Sequence, residues 1–287
     1  MESRRESGPA EPGQSTRSME PAGKRRWSWR RRLLGLALLA LLAFTAYEYL
    51  RLPDAAPLLK KNPETTALIE QRAAEAREAG HKPRRRQYWI SLSNVPKHVI
   101  DAVLISEDAS FYLHDGVDTV ELGKAVEEAW QKKKLGRGAS TITQQLAKNL
   151  WLSTDRSLLR KAKELVLTFR LEQALPKSRI LALYLNVAEW GDGVYGIEAA
   201  AREHFGVSAL SLSPAQGAIL AAMLPAPRKR TPKSGSKTLK RHSHWIIDQM
   251  LEAKRLSAEE AAAAQTEIDQ LLGGKPETDD SGEDEEP

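Results

Sequence analysis

An apolar run near the start of the chain restricts what it can fold into more than any other feature. Leu33–Leu50 spans 18 residues with a single charge, at Glu48, which is close to the roughly 20 residues that a helix needs to cross a bilayer. Its flanks carry the arginines and interfacial aromatics typical of such a helix, namely Arg25, Arg26, Arg30, Arg31, Arg32, Trp27, Trp29, Tyr47 and Tyr49. By the positive-inside rule, the N-terminus stays in the cytoplasm and the rest of the chain crosses the membrane.

A cleavable signal peptide is the alternative interpretation of this run. Its apolar region would be shorter, about 7–15 residues, and would end at a small-residue cleavage site. The sequence "FTAYEYLRLP" offers a poor site of this kind, so we predict an uncleaved single-pass anchor. The chain contains no cysteine, which excludes disulfides and thiolate metal sites.

Composition divides the remainder into segments. Residues 1–32 form a basic segment on the cytoplasmic side, 33–50 the membrane helix, and 51–87 a polar juxtamembrane connector. A catalytic domain is expected over residues 88–252, followed over 253–287 by a C-terminal helix and an acidic tail. The outer parts of the two terminal segments, rich in charge, Ser, Gly and Pro, are predicted to be disordered. The sequence leaves open whether the C-terminal helix docks on the domain.

Helical periodicity dominates the expected catalytic domain, so the predicted fold class is mainly α. Helix starts are indicated at Pro96 as the first helical residue, at Ser213 before Pro214, and by capping-box spacing at Asp118 with Glu121 and at Ser257 with Glu260. Helix ends are indicated at Gly80, Pro176 and Gly273. The one strand-like stretch is "QYWISL".

A first cluster of chemically active side chains lies in "SEDASFYLHDG", Ser106–Gly116. Glu107 follows an apolar helix, so we expect burial to raise its pKa into a range useful for acid–base catalysis. Phe111 can supply an apolar wall, and Asp108 and His114 can orient their neighbours. A helix end that turns two acids into water explains the stretch equally well.

A second cluster, "GRGASTITQQLAKN", places hydroxyls, amides and a cation at the start of a helix. Hydroxyls, free backbone N–H groups and a cation are what a phosphate needs. The candidate residues here are Ser140, Thr141, Gln144, Gln145, Lys148 and Asn149. An ordinary helix cap with polar neighbours is the plainer interpretation.

Two further clusters follow along the chain. In "RKAKE", Arg160 and Lys161 lie four and three residues before Glu164, so both cations can reach the face that carries the carboxylate. A surface ion pair would look the same, and by itself is the better explanation. In "YLNVAEWGDGVYG", Asn186 precedes a dense group of glycines, which indicates a loop packed closely against a ligand or a neighbouring helix.

Taken in order, these four motifs resemble those of the peptidoglycan glycosyltransferases. The resemblance covers roughly Ser93–Pro227 and is closest to the monofunctional, membrane-anchored type, because no transpeptidase domain is expected after it. It implies a lysozyme-like helical domain on the periplasmic side of a bacterial inner membrane. It also implies that lipid II is polymerised into glycan strands with release of undecaprenyl diphosphate.

The same resemblance implies roles for individual residues. Glu107 resembles the general base, and Glu164 the second essential carboxylate, which helps to hold the donor diphosphate directly or through Mg²⁺ or Mn²⁺; no organic cofactor is expected. Asp108, Phe111 and His114 resemble supports around the base. Arg160 and Lys161, with Ser140, Thr141 and Gln144, resemble the pyrophosphate-binding group. The implied partners are lipid II, the growing glycan strand, the membrane and other cell-wall synthesis proteins.

The chain departs from the family pattern at Gln216, where an acid is expected, and at His242, where an arginine is expected. Three alternatives stay open from the residues alone. A lysozyme-like lytic enzyme needs one or two carboxylates but no diphosphate site. A non-catalytic, membrane-anchored scaffold would not need both carboxylates and the cation pair. Nucleic-acid binding is disfavoured, because the arginines cluster beside the membrane span rather than along the folded domain.

Overall fold

The computed structural model describes residues 24–132, 140–154 and 157–273 of the chain. The outer parts of the two terminal segments, which are predicted to be disordered, and the stretch Gly136–Gly138 that opens the second cluster lie outside these described residues. The chain divides into two units, residues 1–51 and 52–287. In the first unit, helix α1 (Lys24–Arg51) is long and apolar enough to cross a membrane. Its most apolar window has a mean hydropathy of 1.8 and is not buried.

The second unit is mainly helical, which confirms the predicted fold class. Its helices are α2 (Ala67–Glu78), α3 (Lys97–Glu107), α4 (Thr119–Lys132), α5 (Ile142–Trp151), α6 (Leu158–Ala174), α7 (Lys177–Val187), α8 (Ile197–Phe205), α9 (Pro214–Met223), α10 (Lys237–Glu252) and α11 (Ala258–Leu272). Short 3-10 turns lie at Ala56–Leu59, Leu92–Asn94 and Ala209–Ser211. The strands are β1 (Arg86–Gln87), β2 (Glu189–Gly191) and β3 (Val194–Tyr195).

The predicted helix boundaries hold to within one residue. Ser213 and Ser257 cap α9 and α11 through reciprocal capping boxes, and Gly80, at φ +75°, follows the end of α2. The prediction for Pro96 is wrong by one position, because α3 begins at Lys97 and Pro96 is its N-cap. The Pro96 carbonyl accepts hydrogen bonds from the amides of Val99 and Ile100, at 3.0 and 3.2 Å.

Helix α9 lies at the centre of the core. It is apolar on all sides, with every residue from Ala218 to Met223 buried, and it packs against α3, α10 and α11. Gly217 allows α9 to approach α3 closely, because a Cβ there would lie 3.1 Å from Cγ2 and 3.2 Å from Cα of Val99. The C-terminal helix α11 therefore docks on the domain, with Ile268 fully buried. The sequence left open whether this helix docks, and the packing of α11 against α9 and α10 shows that it does.

The segment predicted as a connector belongs to the same compact unit. Ala55, Leu58, Leu68 and Ile69 are buried, and helix α2 packs against α5. These contacts remove apolar surface from water and hold residues 52–87 against the helical core.

A small three-stranded sheet of order β1-β3-β2 forms where the sequence predicts only a strand at "QYWISL" and a glycine-rich loop. The strand prediction is shifted, since β1 is Arg86–Gln87, parallel to β3. The glycine-rich loop is the β2–β3 hairpin. Gly193, at φ +66°, is required because a Cβ there would lie 2.6 Å from the carbonyl oxygen of Arg84. No periodic pattern in the sequence predicts this close approach of Gly193 to the Arg84 backbone.

Candidate active site

Glu107 is the last residue of α3, and its side chain is half-buried. The helix ends because Asp108 leaves the helical conformation, at φ −167° and ψ 75°. The Oε2 atom of Glu107 accepts a hydrogen bond of 2.8 Å from Nε2 of Gln145 on α5. Its Oε1 atom lies 3.4 Å from the Ser106 hydroxyl. The carboxylate is thus oriented by a neighbouring helix while part of it stays open to solvent.

Tyr184 orients Gln145 in turn. The Tyr184 hydroxyl, from α7, donates to Oε1 of Gln145 at 3.0 Å, which leaves the amide nitrogen of Gln145 facing Glu107. Burial, together with the charges of Glu107 and Asp108, raises the pKa of the fully buried Tyr184 well above its usual value. The phenol therefore keeps its proton and remains a donor at neutral pH.

Asp108 ties the end of α3 to the start of α5. Its Oδ2 accepts from the amide of Ile142, the first residue of α5, at 3.0 Å. Its Oδ1 accepts from Nε2 of His114 at 2.9 Å, because the other ring nitrogen, Nδ1, accepts from the amide of Gly116 at 3.1 Å. This arrangement sets the tautomer of His114 and holds the residue that follows Glu107.

Phe111 is fully buried beside this pair. Its ring meets His114 edge-on, with 6.4 Å between ring centroids, and the Lys177 ammonium lies 4.5 Å from the centroid of the Phe111 ring. The apolar wall expected at Phe111 is therefore part of the core beneath the His114–Asp108 pair.

The hydroxyl-rich motif is used largely to build the start of α5. Thr141 and Gln144 form a reciprocal capping box, and the Thr141 hydroxyl also donates to the Gly116 carbonyl at 2.7 Å. Both side chains are buried, as is Asn149, whereas Ser140 and Lys148 are half-buried. The helix-cap interpretation therefore accounts for Thr141 and Gln144, whereas Gln145 contacts Glu107.

Glu164 is buried on α6 and is bonded to two cations. Its Oε2 accepts from Nη1 of Arg160 at 2.6 Å, and its Oε1 accepts from Nζ of Lys161 at 2.5 Å. Only 4% of its side chain is exposed, compared with 49% for Lys161. This is not the solvated surface pair that the spacing alone would suggest, because the carboxylate is buried and fixes two positive groups at its rim.

Asn186 lies apart from these groups. Its amide nitrogen donates to the carbonyls of Ile90 and Ala182, at 3.0 and 2.7 Å, and its Oδ1 accepts from the amide of Ile90 at 2.8 Å. The side chain thus holds the segment before α3 against α7, and it does not join the contacts around Glu107.

Glu172 and Lys177, which the sequence did not single out, complete the support. The Thr143 hydroxyl donates to Oε1 of Glu172 at 2.5 Å, and Lys177 donates to the same oxygen at 2.8 Å. Lys177 is the residue that contacts Phe111. Thr143 and Glu172 lie 29 positions apart in the chain, so no local pattern indicates their contact.

The departures from the family pattern have a local explanation in one case. The Gln216 side chain accepts from the amide of Ser213 at 3.1 Å and completes the cap of α9, a role that an amide oxygen performs as well as a carboxylate. The His242 ring meets Trp245 edge-on, with 5.4 Å between centroids.

The divalent ion expected at Glu164 stays a prediction. Across 24–132, 140–154 and 157–273, no group of three or more His, Cys, Asp or Glu side chains is arranged to hold one. Both oxygens of Glu164 are bonded to Arg160 and Lys161. A divalent ion there would have to displace a cation that is already in place.

Comparison with known proteins identifies the relatives of this arrangement. A family model described as transglycosylase matches residues 73–251. The biosynthetic peptidoglycan transglycosylase of Bordetella avium is 42% identical over 215 residues, which cover 72% of this chain and 88% of that protein. The protein of the same name from Nitrosospira multiformis is 38% identical over 80% of this chain and 97% of its own length.

A solved structure is also similar. Penicillin-binding protein 1A from Haemophilus influenzae matches 64% of this chain and 18% of its own, with 23% sequence identity and a TM-score of 0.37. The family assignment itself comes from the sequence comparisons, because the family model spans more than half of the chain. The chain therefore belongs to the transglycosylase family.

Proposed function

We propose that this protein is a peptidoglycan glycosyltransferase that polymerises lipid II, with Glu107 as the general base. Family membership and the names of the relatives support the reaction class. The observation that carries the assignment of the base is the contact between Glu107 and Gln145, at 2.8 Å. It leaves an oriented, half-buried carboxylate that can accept a proton.

In the proposed reaction these residues have distinct roles. The Glu107 carboxylate removes the proton from the 4-hydroxyl of the acceptor sugar, and the oxygen attacks the anomeric carbon of the donor. The bond from that carbon to the diphosphate oxygen breaks, and the lipid diphosphate leaves with the electron pair. Arg160 and Lys161, held by the buried Glu164, are suited to neutralise the charge that develops on the leaving group.

In this proposal Glu164 acts through the two cations. Its carboxylate bonds to both the Arg160 guanidinium and the Lys161 ammonium and so holds two like charges together against their repulsion. Both Glu164 oxygens are bonded to these cations.

The proposed location is the inner membrane of a bacterium, with α1 as the anchor and the helical domain on the periplasmic side. The length and apolar character of α1 support anchoring, and the arginines before it favour this orientation. The proposed partners are lipid II, the glycan strand and the membrane, together with other proteins of cell-wall synthesis. Nucleic acid is not among them.

The test is to incubate the full chain in detergent with labelled lipid II and to resolve the products by size. We expect a ladder of glycan chains, and we expect Glu107→Gln to reduce its rate of formation at least about 100-fold. Glu121→Gln is the matched control, because Glu121 is an exposed acid that pairs with Lys124 on α4. A Glu107→Gln variant with undiminished activity would show that another group is the base.

The same assay separates polymerisation from degradation. Cleavage of preformed peptidoglycan without polymer formation would place the protein among lytic enzymes, and neither activity would favour a scaffold. A second variant, Lys161→Ala, is expected to impair use of the donor more than use of the acceptor. Equal losses for both substrates would contradict a diphosphate-binding role for Lys161.

A further inference from the structure

A strongly basic surface lies where the chain enters α10. We define this basic surface by six residues, Lys229, Arg230, Lys233, Lys237, Lys240 and Arg241. The three that belong to α10 share one side of the helix, because residues three and four positions apart are neighbours. Residues 204–247 contain no Asp or Glu. Any acidic partner of these cations therefore comes from outside residues 204–247.

The end of helix α11 lies against the basic surface. Asp269, in the last turn of α11, bonds to Nζ of Lys240 at 3.0 Å and to Nε2 of His244 at 3.0 Å. The hydrogen bond from Lys240 is the main cause of a lowered pKa at Asp269. The last residues of α11, Leu271 and Leu272, line a cavity of about 250 Å³ together with Pro232 and Lys233. The chain thus leaves α11 between Lys233 and Lys240.

The sequence that follows is of opposite charge. After Gly273, seven acidic residues occur within ten positions, namely Glu277, Asp279, Asp280, Glu283, Asp284, Glu285 and Glu286. An extended chain covers about 3.5 Å per residue, so Glu277 can reach about 14 Å from Gly273 and the later acids can reach further. All six cations of the basic surface belong to the loop and helix that flank this exit.

We propose that the acidic segment 277–286 binds the basic surface of the same chain. The short connection gives the segment an effective concentration in the millimolar range, so weak individual ion pairs suffice. Asp269 shows the same chemistry one turn earlier, with an acid of α11 bonded to a cation of α10. The consequence is that the basic surface is occupied from within the chain and binds an external polyanion only in competition with that segment.

Zero-length carbodiimide cross-linking of the full chain in detergent tests the contact, with cross-linked peptides identified by mass spectrometry. We expect amide links from residues 277–286 to Lys233 and Lys237. Their yield should fall at least about fivefold between 0.1 and 1 M salt, where the screening length drops from about 10 to about 3 Å. Lys60 and Lys61 are the control lysines, because both are exposed and lie outside the basic surface.

Links spread evenly over exposed lysines, including Lys60 and Lys61, or links insensitive to salt, would overturn the proposal. A mixture of isotopically labelled and unlabelled protein distinguishes links within a chain from links between chains. Links between chains would identify a second copy as the occupant and would also overturn it.

A binding measurement gives an independent test. Replacing the seven acids by their amides should tighten binding of a labelled polyglutamate peptide at least about tenfold, because the competing segment is neutral. Lys233→Glu with Lys237→Glu should remove that binding, whereas Lys60→Glu with Lys61→Glu should leave it unchanged. Equal affinity of the amide variant and the parent chain would show that the acidic segment does not occupy the surface.

Discussion

Gln145 of α5 donates a hydrogen bond of 2.8 Å to the carboxylate of Glu107 at the end of α3. Because the opposite end of the Gln145 amide accepts from Tyr184, the position of the proposed base depends on a chain of contacts across three helices. The two acids assigned to catalysis have different supports. Glu107 accepts a hydrogen bond from a neutral amide, whereas Glu164 is bonded to two cations.

Removing the amide that orients Glu107 should impair catalysis more than it impairs folding. We expect Gln145→Ala to lower the polymerisation rate at least about tenfold, since small displacements of a catalytic group are costly. Tyr184→Phe should have a smaller effect on the rate and should lower the free energy of unfolding by about 1 kcal/mol. Initial rates with labelled lipid II measure both variants. Gln173→Ala, at an exposed position of α6, is the control, and an equally active Gln145→Ala would refute the positioning role.

Comparing substitutions at two buried acids, Glu164 and Glu198, should distinguish a catalytic role from a role in stability. Glu164→Gln and Glu198→Gln each weaken a carboxylate that pairs with an arginine four residues away, and each should lower the free energy of unfolding by about 1–3 kcal/mol. Only Glu164→Gln should abolish polymerisation per folded molecule, because Glu198 bonds to Ser208 and to the amide of Ala209. The measurement is the polymerisation rate of each variant divided by its folded fraction, which circular dichroism gives. Similar normalised losses for both variants would mean that Glu164 has a structural role alone.

Substitutions at Gly116 and Gly80 test the close packing of Gly116 against Thr168 and Glu172 of α6. A Cβ at Gly116, φ +90°, would lie 2.6 Å from Cγ2 of Thr168 and 2.9 Å from Cγ of Glu172. At Gly80, φ +75°, a Cβ would meet nothing within 4 Å. We expect Gly80→Ala to cost about 1 kcal/mol from backbone strain alone, and Gly116→Ala to cost about 2 kcal/mol more from the clash. Urea unfolding of the two variants measures the difference, and equal costs would rule out the clash.

Glu189 should make the stability of the protein fall as pH rises. Burial raises the pKa of Glu189 above its ordinary value of 4.5, although Arg72 and Arg228 oppose this and Asp192 adds to it. The folded state therefore holds the proton more tightly than the unfolded state does, so the contribution of Glu189 is present below pH 4.5 and is lost as pH rises through the folded pKa. Relative to Glu189→Gln, the parent chain should lose stability in that window.

Asp118 is a control, because its contribution to stability should change with pH in the opposite direction to that of Glu189. Hydrogen bonds, chiefly from Ser110, lower the pKa of Asp118 below 3.8, so its contribution is present above that pH and is lost on further acidification. Unfolding free energies of the parent, Glu189→Gln and Asp118→Asn across the acidic range should show slopes of opposite sign. A Glu189→Gln difference that does not vary with pH would contradict the burial argument.

The sequence by itself determined the features that depend on neighbours along the chain. The apolar run of α1, the Ser213 cap of α9, the capping box of α11 and the stop of α2 at Gly80 all follow from residues a few positions apart. Capping and helix periodicity are local effects. The order of the motifs also predicted the family, which the comparisons confirm. In addition, the spacing of Arg160, Lys161 and Glu164 predicted their pairing.

Tertiary structure decided which of those residues meet and what each one is used for. Gln145 contacts Glu107 across 38 positions, whereas Thr141 and Gln144, from the same motif, build the start of α5. Asn186 holds the segment before α3 against α7, and α11 docks on the core through Ile268. Contacts between distant segments depend on how helix faces pack and on which polar groups burial leaves to be paired. A single sequence does not encode that in any local pattern.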